Sequence, residues 1–180
     1  MKIISGKYKG RNIEGFTIDG TRPTMDRVKE SLFAMIQNHI SNSNVLDLFS
    51  GSGNLALEAL SEGASSAVLV DSNYKAIKVI ENNIKNIGIE NTKVLNMDYK
   101  KAIEFLSKES FDVIFLDPPY KTNYIEESIK LITKCNILSD KGIIVCESDS
   151  LDKIIYDDNY ISIKDKKYGD KYIVILKKVC

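Results

Sequence analysis

The sequence predicts an α/β fold with a seven-stranded, mostly parallel sheet that ends in an antiparallel hairpin. From residue 44 onward, short apolar segments alternate with segments of helical periodicity, and this alternation is typical of a doubly wound parallel sheet. Aspartates stand at the ends of four apolar segments, and ligands bind at the carboxyl ends of the strands in such folds. The last two segments flank the turn Tyr168-Gly169-Asp170, which indicates a hairpin.

The order of the expected elements follows from these patterns. Strands are expected at residues 45–49, 67–70, 93–96, 111–116, 143–147, 160–164 and 172–177. Helices are expected between the first five strands, at residues 54–62, 74–86, 100–108 and 124–135. A chain of 180 residues fits one domain, in which residues 44–180 form the α/β core.

The first 40 residues are predicted to form an arm and a helix. Four glycines interrupt residues 1–22, which favours a short extended arm or hairpin. Apolar residues then recur at helical spacing over residues 24–40, with Thr24 as the expected N-cap. Residues 1–11 carry four basic side chains and no acidic one, so the arm is a candidate for binding phosphate groups. A solvated charged tail is the alternative that this pattern leaves open.

Composition excludes several classes of protein. The hydrophobic fraction of 43% and the charged fraction of 28% are ordinary for a soluble globular protein. We expect a cytoplasmic location and no membrane association, because no apolar run is long enough for a span and no signal peptide is visible. The three cysteines form no CxxC motif, which argues against a zinc site or a disulfide framework. The 25 basic residues balance the 25 acidic residues, which argues against non-specific coating of nucleic acid.

A glycine-rich loop follows the first predicted strand. In the segment Asp47-Leu48-Phe49-Ser50-Gly51-Ser52-Gly53, the glycines permit a tight turn and close approach of a ligand to the backbone. The helix N-terminus that follows offers free N–H groups. The spacing of Gly51, Gly53 and Ala56 also satisfies the dinucleotide-binding pattern. The loop alone therefore leaves a nicotinamide cofactor and S-adenosylmethionine both open.

The aspartates at the next strand ends favour an adenosine group without choosing between these cofactors. Asp71 lies 20 residues after Gly51, where a carboxylate can hold both ribose hydroxyls. Asp98 ends the third strand and could accept a hydrogen bond from the adenine amino group. Helix capping is the simpler role for one such aspartate, but their repetition at successive strand ends favours a binding site.

The tetrapeptide Asp117-Pro118-Pro119-Tyr120 ends the fourth predicted strand. Two prolines cannot continue the strand, and each fixes φ, so a stiff, outward-turned loop is expected. The loop presents a carboxylate, carbonyl oxygens and an aromatic ring, which suits a planar nitrogenous base. Asp117 and the Pro118 carbonyl can accept the two N–H bonds of an exocyclic amino group, and Tyr120 can stack on the base. No proton donor is well placed for hydride transfer, and the loop resembles the signature of amino-methyltransferases that use S-adenosylmethionine.

The resemblance extends over nearly the whole chain. Residues 3–11 (IISGKYKGR), residues 21–33 (TRPTMDRVKESLF), the segment Leu46-Asp47-Leu48-Phe49-Ser50-Gly51-Ser52-Gly53, the Asp-Pro-Pro-Tyr loop and residues 168–172 (YGDKY) are similar to the RsmD-type bacterial methyltransferases. This family methylates N2 of one guanine in 16S ribosomal RNA. The block at residues 21–24 is its most specific element.

The resemblance implies a Rossmann-like class I S-adenosylmethionine-dependent methyltransferase that acts on 16S rRNA in 30S ribosomal subunits. We also expect a monomer. No metal is expected, because the sulfonium carries its own leaving group. The resemblance places the cofactor against Asp47, Phe49, Ser50, Gly51, Ser52, Gly53, Asp71, Ser72, Asp98, Tyr99 and Asp117. It assigns catalysis to Asp117, Pro118, Pro119 and Tyr120. It assigns RNA binding to Lys7, Lys9, Arg11, Arg22, Thr24 and Arg27.

Three other functions stay open from the sequence. The first is methylation of another base, such as N6 of adenine in DNA or RNA, because the Asp-Pro-Pro-Tyr loop is shared with those enzymes. The others are a non-catalytic ribosome-assembly module and a small-molecule methyltransferase. One residue departs from the family pattern: Asn54 stands where a small residue is usual, and we expect its side chain to cap the following helix.

Overall fold

The computed structural model describes residues 1–16 and 26–180. Seven strands form one sheet within them: β1 (Asn44–Asp47), β2 (Ser66–Asp71), β3 (Thr92–Asn96), β4 (Phe111–Leu116), β5 (Leu138–Ser148), β6 (Tyr160–Tyr168) and β7 (Lys171–Lys178). Their order is β3-β2-β1-β4-β5-β7-β6. β1 to β5 pair in parallel, and β7 pairs antiparallel with both β5 and β6. The predicted parallel sheet with a C-terminal hairpin is confirmed.

In the described part of the chain, five helices accompany the sheet: α1 (Asp26–Ile36), α2 (Asn54–Ser61), α3 (Tyr74–Ile87), α4 (Tyr99–Phe105) and α5 (Tyr124–Cys135). Short 3-10 helices cover Gln37–His39 and Leu151–Lys153. The expected N-cap of the first helix, Thr24, lies outside the described residues. Among the described helices, none is long and apolar enough to cross a membrane.

The fifth strand differs most from its prediction. It begins at Leu138 rather than at residue 143, because Leu138 pairs with Phe111 across a shift in register. The turn-like residues that follow Leu138 are therefore part of the strand, and local propensity gave the wrong boundary. The pairs from Val113↔Ile143 to Leu116↔Cys146 then continue without interruption to the carboxyl ends of both strands.

Two apolar layers cover the two faces of the sheet. Along β4, Val113 and Phe115 pack in one cluster with α1, α2 and α3, while Ile114 and Leu116 pack in the other with α4 and α5. Successive side chains of a strand point to opposite faces, so strands covered on both sides are apolar throughout. This explains why residues 113–116 of β4 form a continuous apolar run.

The N-terminal arm is docked against α2 rather than extended into solvent. Residues 1–13 fold back on themselves, with one antiparallel bridge between Lys2 and Asn12. Ile3 and Ile13 are buried in the core. The Ser61 carbonyl accepts a hydrogen bond from the Lys7 backbone N–H at 2.8 Å. In its described part the arm therefore doubles back through a single bridge, and the hairpin over residues 1–22 stays a prediction.

A fully buried ion pair fastens the arm to two helices. Lys29 Nζ of α1 lies 2.9 Å from Glu58 Oε2 of α2, and both side chains are 0% exposed. Glu58 also accepts the backbone N–H groups of Ile4 at 3.0 Å and Ser5 at 2.9 Å. Lys29 Nζ donates to the Lys2 carbonyl at 2.6 Å. These bonds satisfy the two buried charges and join the arm, α1 and α2.

We predict that Glu58→Gln lowers the free energy of unfolding by about 3–5 kcal/mol, because it leaves the buried Lys29 charge without its partner. The control is Glu81→Gln, which breaks the exposed Lys78–Glu81 pair and should cost less than about 1 kcal/mol. Urea denaturation of both variants measures the difference. Equal costs for the two variants would show that the Lys29–Glu58 pair does not hold the fold.

Candidate active site

The carboxyl ends of β1, β2 and β4 meet at a cavity of about 280 Å³. Four aspartates line it, and the residues that contribute to its wall are Met1, Phe16, Asp47, Leu48, Phe49, Ser50, Gly51, Ser52, Asn54, Leu55, Asp71, Ser72, Asn73, Asp98, Tyr99, Asp117, Pro118, Pro119, Tyr120 and Tyr124. Its position beside the β1–β4 pair, where the strand order reverses, is where ligands bind in doubly wound folds.

Hydrogen bonds of Ser50 and Gly51 hold the glycine loop to β2. Ser50 Oγ donates to the Asp47 carbonyl at 2.9 Å and accepts from Val70 N at 3.0 Å. Gly51 N donates to Asp71 Oδ2 at 2.9 Å. Gly51 and Gly53 both have positive φ, of 56° and 85°, which favours glycine. The loop is therefore a fixed wall of the cavity.

Gly53 was expected to line the cavity, but in the structure it has a packing role. It is absent from the cavity wall among the described residues, and a Cβ there would come within 3.1 Å of a Leu69 methyl group. The backbone of Gly53 is instead the N-cap of α2. It therefore shapes the turn without facing the ligand space.

The burial of Asp47 and Asp71 raises the pKa of both carboxyls. Asp47 is 1% exposed, and burial raises its pKa to about 7, with the Phe49 N–H opposing and Asp71 adding to the rise. Burial also raises the pKa of Asp71, while N–H groups of Asn73 and Gly51 oppose the rise. Removal of these carboxylates from water is only partly offset by their backbone bonds.

Three aromatic rings form another wall of the cavity. Phe49 stacks with Tyr124 at an interplanar angle of 9° and a centroid distance of 6.0 Å. The ring centroid of Tyr99 lies 4.8 Å from that of Tyr124 and 5.2 Å from that of Phe49. The Tyr99 hydroxyl donates a hydrogen bond to Glu127. Asp98 lines the same region and caps α4 through a 2.9 Å bond from Lys100 N. Both roles considered for Asp98 are thus compatible with its position.

The Asp117-Pro118-Pro119-Tyr120 loop closes the cavity on the β4 side, and all four residues line it. Thr122 Oγ1 donates to the Pro119 carbonyl at 2.8 Å, and Lys153 Nζ donates to the Tyr120 carbonyl at 2.6 Å. These bonds fix the loop from outside the cavity. Pro119 is exposed and Tyr120 is half-buried, so an incoming planar group can reach the ring.

Burial and like charges hold the pKa of Asp117 well above its usual range. Burial is the main cause, and Glu147 and Asp47 add to it while Lys171 opposes it. Asp117 directly follows the apolar residues 113–116 at the end of β4. A carboxyl group that binds a proton strongly at the mouth of a cavity is a candidate general base.

The basic residues proposed for RNA binding are spread along the arm and α1. Lys7, Lys9, Arg11 and Arg27 are exposed. The backbone of Lys7 is bonded to Ser61, the last residue of α2, whereas the cavity lies at the first residue of that helix. Because an α-helix rises about 1.5 Å per residue, the tip of the arm lies roughly 10 Å below the cavity. Arg22 and Thr24 lie outside the described residues.

The structure adds wall residues that sequence reasoning missed: Met1, Phe16, Leu48, Asn54, Leu55, Asn73 and Tyr124. Tyr124 could have been predicted from the sequence, because it is the first residue of α5 and lies four residues after Tyr120. Met1 and Phe16 had none, because only the docking of the arm brings them to the cavity.

The predicted capping role of Asn54 is wrong. Gly53 is the N-cap of α2 and no side chain caps it, while Asn54 Oδ1 accepts a hydrogen bond from Lys29 Nζ at 2.8 Å. The buried ammonium of Lys29 attracts the amide oxygen away from the helix end. Asn54 therefore links the Lys29–Glu58 pair to the cavity wall.

Comparisons with known proteins agree with this geometry. The family model described as "Conserved hypothetical protein 95" matches residues 1–177. The chain belongs to this family. The Buchnera aphidicola (subsp. Baizongia pistaciae) protein named "Ribosomal RNA small subunit methyltransferase D" is 38% identical over 93% of this chain and 86% of its own. The resemblance to the RsmD-type methyltransferases that the sequence suggested is confirmed.

Solved structures confirm the class I methyltransferase fold. The Escherichia coli protein yhhF matches with a TM-score of 0.86 and 26% identity, covering 99% of this chain and 97% of that chain. SMU.776, solved in complex with S-adenosylhomocysteine (SAH), matches with a TM-score of 0.67 over 85% of this chain and 48% of that chain. Its identity of 18% supports the fold alone.

We predict that Asp47→Asn flattens the pH dependence of stability between about pH 4 and pH 7. The folded pKa of about 7 lies above the ordinary value of 3.8, so the folded state binds more protons in this window and the unfolding free energy falls as pH rises. Without this group the fall should be smaller, by up to about 1.4 kcal/mol per pH unit.

Urea denaturation across this pH range measures the effect of Asp47→Asn. Asp158→Asn, which removes an exposed carboxyl, is the matched control. Glu62, Asp71 and Asp117 also have raised pKa values. The contribution of Asp47 is therefore the difference between the stability curves of the unmodified protein and Asp47→Asn. Parallel curves for Asp47→Asn and the unmodified protein would show that Asp47 titrates normally.

Proposed function

We propose that this chain transfers a methyl group from S-adenosylmethionine to the exocyclic N2 amino group of a guanine in 16S rRNA. The observation that carries the proposal is the Asp117-Pro118-Pro119-Tyr120 loop at the mouth of a cavity suited to adenosine. Membership of the RsmD-type family supports it, and the Buchnera relative is named as a methyltransferase of small-subunit ribosomal RNA. The 30S subunit is the proposed partner, bound by a cytoplasmic monomer that needs no metal.

The charge of the cavity supports S-adenosylmethionine over a nicotinamide dinucleotide. Four aspartates line the cavity, and no Lys, Arg or His is among the described residues of its wall. A pyrophosphate would meet carboxylates there without a compensating cation, whereas a sulfonium is attracted to them. The charge of the wall therefore favours S-adenosylmethionine over the nicotinamide cofactor that the glycine loop left open.

The residues of the wall fit the parts of that cofactor. Asp71 can accept further hydrogen bonds from ribose hydroxyls, because each carboxylate oxygen has two lone pairs and each already accepts one backbone bond. The stacked rings of Phe49 and Tyr124 provide an apolar surface for the adenine. S-adenosylmethionine, when bound, supplies an electrophilic methyl carbon whose leaving group is its own sulfur.

The protein has to make a poor nucleophile reactive. The lone pair of a guanine N2 is delocalised into the ring, so the amino group must be held with that lone pair directed at the methyl carbon. Asp117 accepts one N–H and the Pro118 carbonyl accepts the other, which favours the pyramidal geometry of the transition state. Tyr120 stacks on the base and fixes its plane. Asp117 then takes the proton that N2 loses.

The near-neutral charge of the chain bears on how RNA is bound. Each phosphate contact contributes through counterion release, and the 25 basic residues are matched by 25 acidic ones. The local basic residues of the arm and α1 therefore supply the phosphate contacts. Shape and ribosomal proteins supply the rest, so the 30S particle is a better substrate than naked 16S RNA.

Methyl transfer from labelled S-adenosylmethionine tests the proposal directly. The substrates are 30S subunits that lack their N2-guanine methylations, naked 16S RNA and duplex DNA, followed by nucleoside analysis. N2-methylguanosine in the 30S sample is the expected product. N6-methyladenine in any sample would move the enzyme to another base. Cofactor binding without transfer to any of them would favour an assembly module or a small-molecule methyltransferase.

We predict that Asp117→Ala lowers turnover by at least about 100-fold, because the amino group loses its acceptor and base. The affinity for S-adenosylmethionine should stay within a few fold, since the main contact of Asp117 is with the guanine. Single-turnover kinetics and calorimetric titration measure the two quantities. Asp71→Ala is the control with the opposite pattern, a loss of cofactor affinity. A collapse of cofactor binding in Asp117→Ala would refute the role assigned to it.

We predict that neutralising Lys9, Arg11 and Arg27 together weakens binding to 30S subunits. The slope of log K against log salt concentration should also become smaller, by roughly one unit for each phosphate that is no longer neutralised. The matched control neutralises the exposed residues Lys108, Lys134 and Lys141, which lie toward the amino ends of the strands, away from the cavity. Binding measured at several salt concentrations separates the two variants. The same slope in both would remove the arm from the RNA interface.

A further inference from the structure

A buried ion pair lies directly behind the Asp-Pro-Pro-Tyr loop. Lys171 Nζ donates to Glu147 Oε1 at 2.5 Å, and the two residues are 8% and 3% exposed. Glu147 Oε2 is also buried, and no described residue bonds to it. Buried ion pairs contribute little to stability compared with apolar residues of the same volume. Stability alone therefore gives no reason for a charged pair at this position.

Strand register brings the pair to Asp117. Leu116 of β4 pairs with Cys146 of β5, so Asp117 and Glu147 follow side by side at the carboxyl ends of neighbouring strands. Glu147 in turn pairs with Ile173 of β7, and Lys171 lies two residues from Ile173 on the same face. Asp117, Glu147 and Lys171 thus form a row across three strands.

The other end of the row reaches the stacking residue of the loop. Lys171 Nζ lies 5.9 Å from the centroid of the Tyr120 ring, within the range of a cation–π contact. The pair therefore touches both the carboxylate and the aromatic ring that are proposed to hold the guanine. Neither Glu147 nor Lys171 lines the cavity itself among the described residues, so both act through the loop.

The charged groups that face Asp117 come from three strands and its own loop. They are Glu147 of β5, Lys171 of β7, Asp47 of β1 and Tyr120. Glu147 raises the pKa of Asp117, and Lys171 lowers it by less. Burial lowers the pKa of Lys171, but Glu147 and Asp117 together more than offset it and leave the pKa raised. The ammonium therefore stays charged throughout the range in which carboxyls titrate.

We propose that Glu147, held in place by Lys171, is a positioning residue that sets the proton affinity of Asp117 for methyl transfer. This rests on the proposed function. In the transfer, the N–C bond forms as the C–S bond breaks, its electron pair stays on sulfur, and the proton leaves N2 for an Asp117 oxygen. The Glu147 carboxylate makes that oxygen a stronger base, and the hydrogen bond from Lys171 Nζ keeps Glu147 oriented.

Two variants of the pair separate this role from a structural one. In Glu147→Gln, Asp117 loses its negative neighbour and keeps Lys171, so it should ionise at a pH lower by about one unit or more. In the double variant Glu147→Gln/Lys171→Met, Asp117 loses both influences and should titrate between Glu147→Gln and the unmodified protein. The expected order of titration midpoints is unmodified protein, double variant, Glu147→Gln, from high to low.

The midpoint is first read in the free protein. Carbon-13 NMR titration of the Asp117 carboxyl, assigned by its absence in Asp117→Asn, needs no substrate and is independent of the reaction catalysed. Lys171→Arg keeps the positive charge and should leave the midpoint unchanged. Glu126→Gln, which breaks the exposed Lys130–Glu126 pair, is the surface control and should also leave it unchanged.

The second readout is the pH profile of single-turnover methyl transfer to 30S subunits. The acidic limb should follow the NMR midpoints in the same order. The plateau rate of Glu147→Gln should fall by about 10-fold or more, because its base is weaker. The affinity for S-adenosylmethionine should stay unchanged in each variant.

The outcomes distinguish the two proposals. The ordered shift of midpoints with matching acidic limbs supports the role of Glu147. An Asp117 midpoint that is the same in the unmodified protein and both folded variants overturns it, even where activity falls, because a purely structural pair would lower activity without moving the titration. An unmodified enzyme that transfers no methyl group to ribosomal RNA contradicts the proposed function, while the NMR titration still decides whether Glu147 governs Asp117.

Discussion

The alternation of side chains along parallel strands in register is the constraint on which the site depends. Val45, Leu69 and Phe115 pack on the face covered by α1, α2 and α3, and the residue two positions after each is an aspartate. Alternation therefore directs Asp47, Asp71 and Asp117 toward the same side of the sheet edge. A slip of one residue in any strand would send its carboxylate to the opposite face. The apolar packing of the strands thus fixes the chemistry at their ends.

Such convergence has an electrostatic cost, since carboxylates removed from water repel one another. The structure offsets it in three ways. The Gly51 N–H of the glycine loop donates to Asp71, the Phe49 N–H donates to Asp47, and Lys171 supplies a nearby ammonium at the β5–β7 side. These contacts do not fully compensate for the burial of the carboxylates, so the pKa values of Asp47, Asp71 and Asp117 are raised. A cationic ligand would relieve it, which makes the cavity complementary to a sulfonium.

The sequence predicted the parts of the molecule that depend on local pattern. The apolar runs gave the strands, and Phe111–Leu116 and Tyr124–Cys135 have the bounds that periodicity indicated. Every aspartate expected at the cavity lines it. What failed depends on partners distant in the chain. Leu138 joins β5 because of Phe111, and Asn54 bonds to Lys29 in place of capping its own helix. The Glu147–Lys171 pair joins two neighbouring strands, β5 and β7, and no sequence pattern predicts it.

The acidic cavity also constrains how a nucleic acid can approach. Phosphate groups are repelled by the carboxylates of its wall, and they are attracted by exposed cations such as Arg11 and Arg27 on the arm and α1. A base, in contrast, is neutral and planar, and it can pass the half-buried Tyr120 ring into the cavity. Under the proposed function, the backbone of the RNA would stay outside while a single extruded base enters. In the proposed reaction, the carboxylates that repel phosphate would also accept the amino protons, so the same charges would select the base and activate it. The separation of an acidic cavity from exposed basic residues would thus allow the proposed specificity for a base without a large net positive charge on the chain.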